Sequence, residues 1–353
     1  MSSIGCRSMH SMRRLYAAKI AGDSLEKGRN GVIDASLKLI REKAKLEAFW
    51  KKAIYIKAEA VFVQGELVRT LGGATATSTL LGVPLGPNSS FLQGTAFAPP
   101  RIREAIWTAS TNSITEEGKD IEDVRVLTDV GDVPVQEIRD CWDDDDRLMN
   151  VITDSVKAVM DVDPLRPLVL GGDHSITFPV VRAVHEKLGG PVDILHFGSH
   201  PGLDAFKDTI YGHASTFARI KAKGYARKLV QVGIRSRSEG HDQGKKLVVE
   251  QHEMRTFSGD RRNLEKLKLG DGVKGVYISI NVDCLDPAIA PGVTHRESGG
   301  LSLRNVLNII QNLQGNIVGG DVVGYNPQRD NALDLTVEVT AKLVRELAAK
   351  ISK

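Results

Sequence analysis

Histidine and carboxylate side chains placed just after short apolar runs are where this chain could do chemistry. His174 lies in Gly171-Gly172-Asp173-His174-Ser175, and His200 lies in Gly198-Ser199-His200-Pro201-Gly202. Asp283 lies in Ser279-Ile280-Asn281-Val282-Asp283-Cys284-Leu285-Asp286-Pro287, and His213 opens His213-Ala214-Ser215. If His174, His200 and Asp283 converge, two imidazoles and a carboxylate make a donor set for one divalent metal. The same residue types would serve equally as polar braces at strand ends.

The elements that must position these residues form a repeating pattern. Apolar runs at 81–85, 167–170, 192–197, 229–234, 276–282 and 317–323 read as short strands. Helical patterns at 100–108, 177–188, 214–223, 303–313 and 336–351 alternate with them. This alternation predicts a single α/β domain with a central, mostly parallel sheet and helices on both faces. In such sheets ligands collect beyond the carboxyl ends of the strands, which is where each motif falls. Residues 26–72 also read as helical, closed by Gly72-Gly73.

Composition narrows the classes. The chain of 353 residues suits one large α/β domain. A net charge of +3 without a Lys/Arg run predicts no nucleic-acid partner. No apolar stretch reaches the length of a membrane-spanning helix, so no membrane partner is expected. Cys6, Cys141 and Cys284 are scattered and form no CxxC pair, which points to a reducing compartment. Residues 1–22 lack acidic side chains, while Arg7, Arg13, Arg14 and Lys19 alternate with serines. Residues 1–25 therefore read as a transit peptide or a disordered tail, with residues 26–353 as the domain. A mitochondrial destination is expected, with plastid or cytoplasm as the alternatives.

Together, in this order and spacing, the four segments resemble the ureohydrolase family of arginases and agmatinases, most nearly the plant-type arginases. The resemblance runs from residue 34 to the C-terminus. Residues 47–64 depart from it and read as an insertion, either an extra helix or a mistranslated stretch of a gene model. The resemblance implies hydrolysis of a guanidino C–N bond in arginine or agmatine, releasing urea at a two-manganese site. It also implies assembly as a trimer or hexamer.

The resemblance further implies six metal ligands. His174 and His200 match two of them, and Asp283 matches a third. The other three positions carry Gly198, Gly202 and Asn281, where the family has aspartates. Gly324 stands where the family's glutamate grips the guanidinium, in Asp321-Val322-Val323-Gly324-Tyr325-Asn326-Pro327. His213 matches the family's proton shuttle. Asp173, Asp286 and Gly299-Gly300 are retained and are expected to hold loops.

Two divalent cations bring four positive charges, against which this chain sets one carboxylate. Without bridging anions their mutual repulsion is strongly unfavourable at low dielectric. The expectation is at most one divalent metal and a catalytically inactive or severely impaired member of the lineage. The alternatives are a non-catalytic partner subunit of an active paralogue and a single-metal enzyme of altered chemistry.

Overall fold

Strands β1 (Thr77–Val83), β2 (Leu127–Asp132), β3 (Leu165–Gly171), β4 (Val192–Phe197), β5 (Ala226–Ile234), β6 (Glu250–Glu253), β7 (Val276–Asn281) and β8 (Ile317–Val323) form one sheet. Its order is β2-β1-β3-β8-β7-β4-β5-β6, and every neighbouring pair is parallel. The structure, a computed structural model, describes residues 73–86, 94–108, 112–133, 135, 145–206, 211–236 and 247–353. The expected tail at 1–25, the helical reading of 26–72 and the insertion at 47–64 lie outside them.

Helices cover both faces of the sheet. On one face lie α2 (Asp145–Met160), α3 (Thr177–Leu188) and α4 (Thr216–Ala222), whose Ile152, Val181 and Phe217 share a core with Val169 and Ile194. On the other lie α1 (Ala98–Ile106), α5 (Phe257–Leu264), α6 (Leu303–Asn312) and α7 (Leu335–Ile351), packed with Leu168 and Leu195. Successive strand residues thus enter opposite cores. A strand covered on both faces carries a nearly unbroken apolar run, and this is why the central strands were legible in the sequence.

Local chemistry fixes the helix ends. In α6, Ser302 Oγ accepts from the Asn305 N–H at 3.1 Å, and Asn305 Oδ1 accepts from the Ser302 N–H at 3.1 Å. That is a capping box, which satisfies amide donors the first turn would leave bare. Helix α3 stops at Gly189, whose φ of +67° and bond to the His185 carbonyl make a left-handed cap. Helix α7 is tied to β1 where Ser78 Oγ donates to the Ala348 carbonyl at 2.8 Å. In α1 the buried Arg103 reaches Asp129 at 3.0 Å and also Asp132, joining that helix to the end of β2.

The sequence reading missed four elements. Strand β2 is interrupted by Asp129 and Gly131, and edge strand β6 is Glu-Gln-His-Glu, so neither shows an apolar run. Helix α5 carries Gly259 and mostly polar residues. Helix α2 does carry the signal, since Leu148, Ile152, Val156 and Val159 recur at helical spacing, and it was readable.

Candidate functional site

Four central strands, β3, β8, β7 and β4, deliver the site residues from their carboxyl ends. His174 follows β3, Gly324 follows β8, Asn281 closes β7 just before Asp283, and residues 198–202 follow β4. His174, His200, His213, Asn281, Asp283 and Gly324 line a single cavity of about 110 Å³.

His174 is held from behind. Its Nε2 lies 3.0 Å from Ser279 Oγ, and the Ser279 hydroxyl donates to Asp321 Oδ1 at 2.7 Å. With that proton committed, Ser279 can only accept, so His174 carries its hydrogen on Nε2 and leaves the Nδ1 lone pair toward the cavity. Asp321 also accepts from Tyr277 Oη at 2.7 Å and Thr177 Oγ1 at 2.9 Å. Burial pushes the Asp321 carboxyl up to about 6 against these three donors. Burial likewise pushes His174 down to about 4, opposed by the charge of Asp283 and helped by neighbouring imidazoles, so its ring is neutral near pH 7. Asn281 Nδ2 faces the His174 Nδ1 lone pair at 3.3 Å.

His200 and Asp283 hold each other. His200 Nδ1 lies 3.0 Å from Asp283 Oδ2, and the Ser199 N–H donates to Asp283 Oδ1 at 2.9 Å. Burial disfavours the charged form of both groups. Their mutual bond outweighs it, raising His200 above the usual histidine value and holding Asp283 well below the usual carboxylate range. Ser199 Oγ lies 2.6 Å from the same His200 nitrogen. The three residue types of a hydrolytic triad are therefore adjacent, but both contacts use Nδ1 and Ser199 is fully buried. A triad needs the nucleophile on one ring nitrogen and the carboxylate on the other, with the hydroxyl open to substrate. This arrangement is a brace.

His213 lines the cavity with its ring stacked on His295, centroids 5.7 Å apart and planes at 18°. His295 also meets His200 edge-on at 5.7 Å. The sequence reading missed His295, and its place on a loop between β7 and α6 gave no signal. It also missed Arg235, which donates to the carbonyls of Asp283 at 2.8 Å and Glu297 at 2.6 Å and clamps the loop after β7. Asp286 braces the same loop. It accepts from the amides of Ala288 at 2.9 Å, Gly300 at 2.9 Å and Gly299 at 2.8 Å, and these bonds, that of Ala288 foremost, hold its carboxyl below the usual range. Asp173 Oδ1 accepts from the Ser175 N–H at 2.8 Å and caps the turn that carries His174.

Positions 198, 202 and 324 offer only backbone. A β-carbon on Gly198 would stand 2.4 Å from His196 Nε2, and one on Gly324 would stand 2.0 Å from Asn281 Oδ1. Gly202 has a φ of +61° and Gly324 a φ of +83°, where side-chain-bearing residues are strained.

These residues do not fit a two-manganese cluster. Among the described residues no three His, Cys, Asp or Glu side chains form a group that could hold a metal. Both oxygens of Asp283 are engaged, and Asn281 Oδ1 accepts from the Asp283 N–H at 3.2 Å. His174, His200 and Asp283 share the cavity wall without converging: Asp283 pairs with His200, while His174 faces Ser279 and Asn281.

A wholly parallel eight-stranded sheet, wrapped by helices and carrying histidines at its central strand ends, places the chain among α/β proteins with a strand-end site. The sequence pattern of the Arginase family matches residues 76–349, and the chain belongs to that family. It is 67% identical over 351 residues to "Arginase 1, mitochondrial" of Oryza sativa subsp. japonica, covering 99% of this chain and 98% of that one. It is 66% identical over 355 residues to "Arginase 1, mitochondrial" of Arabidopsis thaliana, covering 99% of each. The solved structure of arginase from Medicago truncatula superposes with a TM-score of 0.83 at 66% identity, covering 93% of this chain and 99% of that one. The arginase family is in general manganese-dependent and acts on arginine.

Proposed function

We propose that this chain is an arginase-lineage guanidino hydrolase whose activity is lost or severely reduced. The observation that carries the reading is that Gly202, Asn281 and Gly324 line the cavity, with Gly198 two residues before the lining His200. A guanidinium carbon is a poor electrophile, and the family's paired metals supply hydroxide near neutral pH. Of the family's ligand carboxylates this chain keeps only Asp283, and both of its oxygens are engaged. Gly324 supplies no charge-assisted hydrogen bonds to a guanidinium. His213 is in place to carry a proton but has no activated nucleophile to serve.

Arginine is the ancestral substrate this reading favours, because the plant relatives are named arginases. Their names, together with the arginine- and serine-rich first 25 residues, support a mitochondrial address.

The test is metal content per chain after incubation with manganese and desalting, alongside urea release from arginine and agmatine. The expected results are near-zero metal and a rate more than about a thousand-fold below active relatives, the order lost when a single transition-state contact is removed. Two metals per chain, or a rate typical of relatives, would overturn the reading. One metal per chain would favour a single-metal site on His200 and Asp283, whose facing atoms are 3.0 Å apart. Asn281→Asp alone is expected to restore nothing. Gly198→Asp, Gly202→Asp, Asn281→Asp and Gly324→Glu together are the smallest set expected to release urea.

A further inference from the structure

We infer that Asn281 and Gly324 act as one unit, an amide plug that closes the His174 face of the cavity in place of a cation. The inference rests on the reading of an impaired metal site, and it concerns how that site is held together.

The amide of Asn281 has only one workable orientation. Its Oδ1 accepts from the Asp283 N–H at 3.2 Å, so its Nδ2 hydrogens must point the other way, at His174 Nδ1, 3.3 Å distant. His174 Nδ1 is an acceptor, because the ring hydrogen is committed on Nε2 to Ser279 and, through it, to Asp321. A buried ring nitrogen with a lone pair needs a donor or a cation. Asn281 supplies the donor. An aspartate at 281 would set a second acceptor against Nδ1, an arrangement that requires a cation or an added proton between them.

The amide can occupy this place only because residue 324 has no side chain. A β-carbon there would stand 2.0 Å from Asn281 Oδ1 and 2.9 Å from its Cγ. Loss of the side chain at 324 and replacement of a carboxylate by an amide at 281 are thus sterically interlocked. The space vacated at 324 is filled by the amide that satisfies His174.

A double-mutant cycle separates this coupling from the backbone strain that any residue would meet at the φ of +83° of Gly324. Thermal midpoints are measured for the unmodified protein, Gly324→Ala, Asn281→Ala and the double variant, each with manganese and with chelator. Gly324→Ala is expected to lower the midpoint more when Asn281 is present than in the Asn281→Ala background, because only the strain remains in the second case. Neither manganese nor chelator should move the midpoint of the unmodified protein. Equal losses in the two backgrounds would overturn the plug while leaving the reading of impaired activity intact. A manganese-dependent rise in the unmodified protein, abolished by Asn281→Ala, would make the amide a metal ligand and overturn both. A rise that survives Asn281→Ala would overturn the impaired-site reading and leave the coupling to be judged by the cycle alone.

A second measurement uses only the atom-deleting variant, so it does not depend on Gly324→Ala folding. In protein labelled with ¹⁵N-histidine, His174 should show the Nε2–H tautomer, and its Nδ1 resonance should shift on Asn281→Ala. An unchanged resonance would show that no amide hydrogen reaches it and would overturn the plug.

Discussion

His174 and His196 are buried imidazoles 5.0 Å apart by ring centroid, yet their polar atoms meet opposite conditions. His174 has a partner at each nitrogen, Ser279 behind and Asn281 in front. His196 Nδ1 accepts from Gln231 Nε2 at 2.9 Å, which leaves the ring hydrogen on Nε2, where it finds no partner. That orphan nitrogen lies where the side chain of residue 198 would begin. On the β3, β7 and β8 side His174 is closed in by hydrogen bonds. On the β4 side the His196 Nε2 donor faces Gly198, which offers no side chain. The two flanks thus differ in kind: the groups behind His174 hold one another by hydrogen bonds that also carry fold stability, whereas the other flank bears an unsatisfied buried group.

The comparison breaks if removing the Asp321 carboxylate proves harmless. Asp321→Ala strands three buried donors, on Thr177, Tyr277 and Ser279, and is expected to cost about 3 kcal/mol or more by denaturant unfolding. Next comes Gly198→Ala, whose β-carbon collides with His196. A loss of about 1–3 kcal/mol is expected, the usual cost of overpacking, shrinking when His196 is also changed to Ala.

The pH dependence of the same carboxylate sharpens the contrast. Asp321 holds its proton up to about pH 6 in the folded state, against about 3.9 in an unfolded chain. The folded state therefore binds more protons between these values. The contribution of Asp321 is full below the lower value and is lost as pH rises through the upper one. Asp321→Asn should flatten the fall in stability between pH 4.5 and pH 7, read from unfolding midpoints at both.

His196→Leu should shift stability by no more than about 1 kcal/mol, since it removes an unpaired donor along with one hydrogen bond from Gln231, which keeps its bond to the Pro201 carbonyl at 2.7 Å. A loss as large as that of Asp321→Ala would erase the difference between the two flanks. The smallest effect belongs to the surface. Glu116, held down to about 2 by hydrogen bonds from Arg304 and Gln311, lies at the surface with its side chain 31% exposed, so Glu116→Gln should cost under about 1 kcal/mol.

Two thirds identity to plant arginases over nearly the full length describes the scaffold, while the proposed loss of activity rests on four positions, 198, 202, 281 and 324. Three of these, 198, 202 and 324, sit on backbone that follows the strands.

The sequence by itself determined the parallel α/β architecture, because strands buried on both faces must be apolar throughout and helices must carry one apolar stripe. It also determined that positions 198, 202 and 324 offer no side-chain donor, since a glycine has none wherever it is placed. Tertiary structure alone decided the partners of the residues that remain. His200 pairs with Asp283 across 83 positions, and His174 reaches Asp321 through Ser279, a contact spanning 105 positions followed by one spanning 42. Neither pairing is encoded in local spacing. Both arise because hydrogen-bonded register brings distant strand ends together, and burial there requires each polar atom to find a partner or go without.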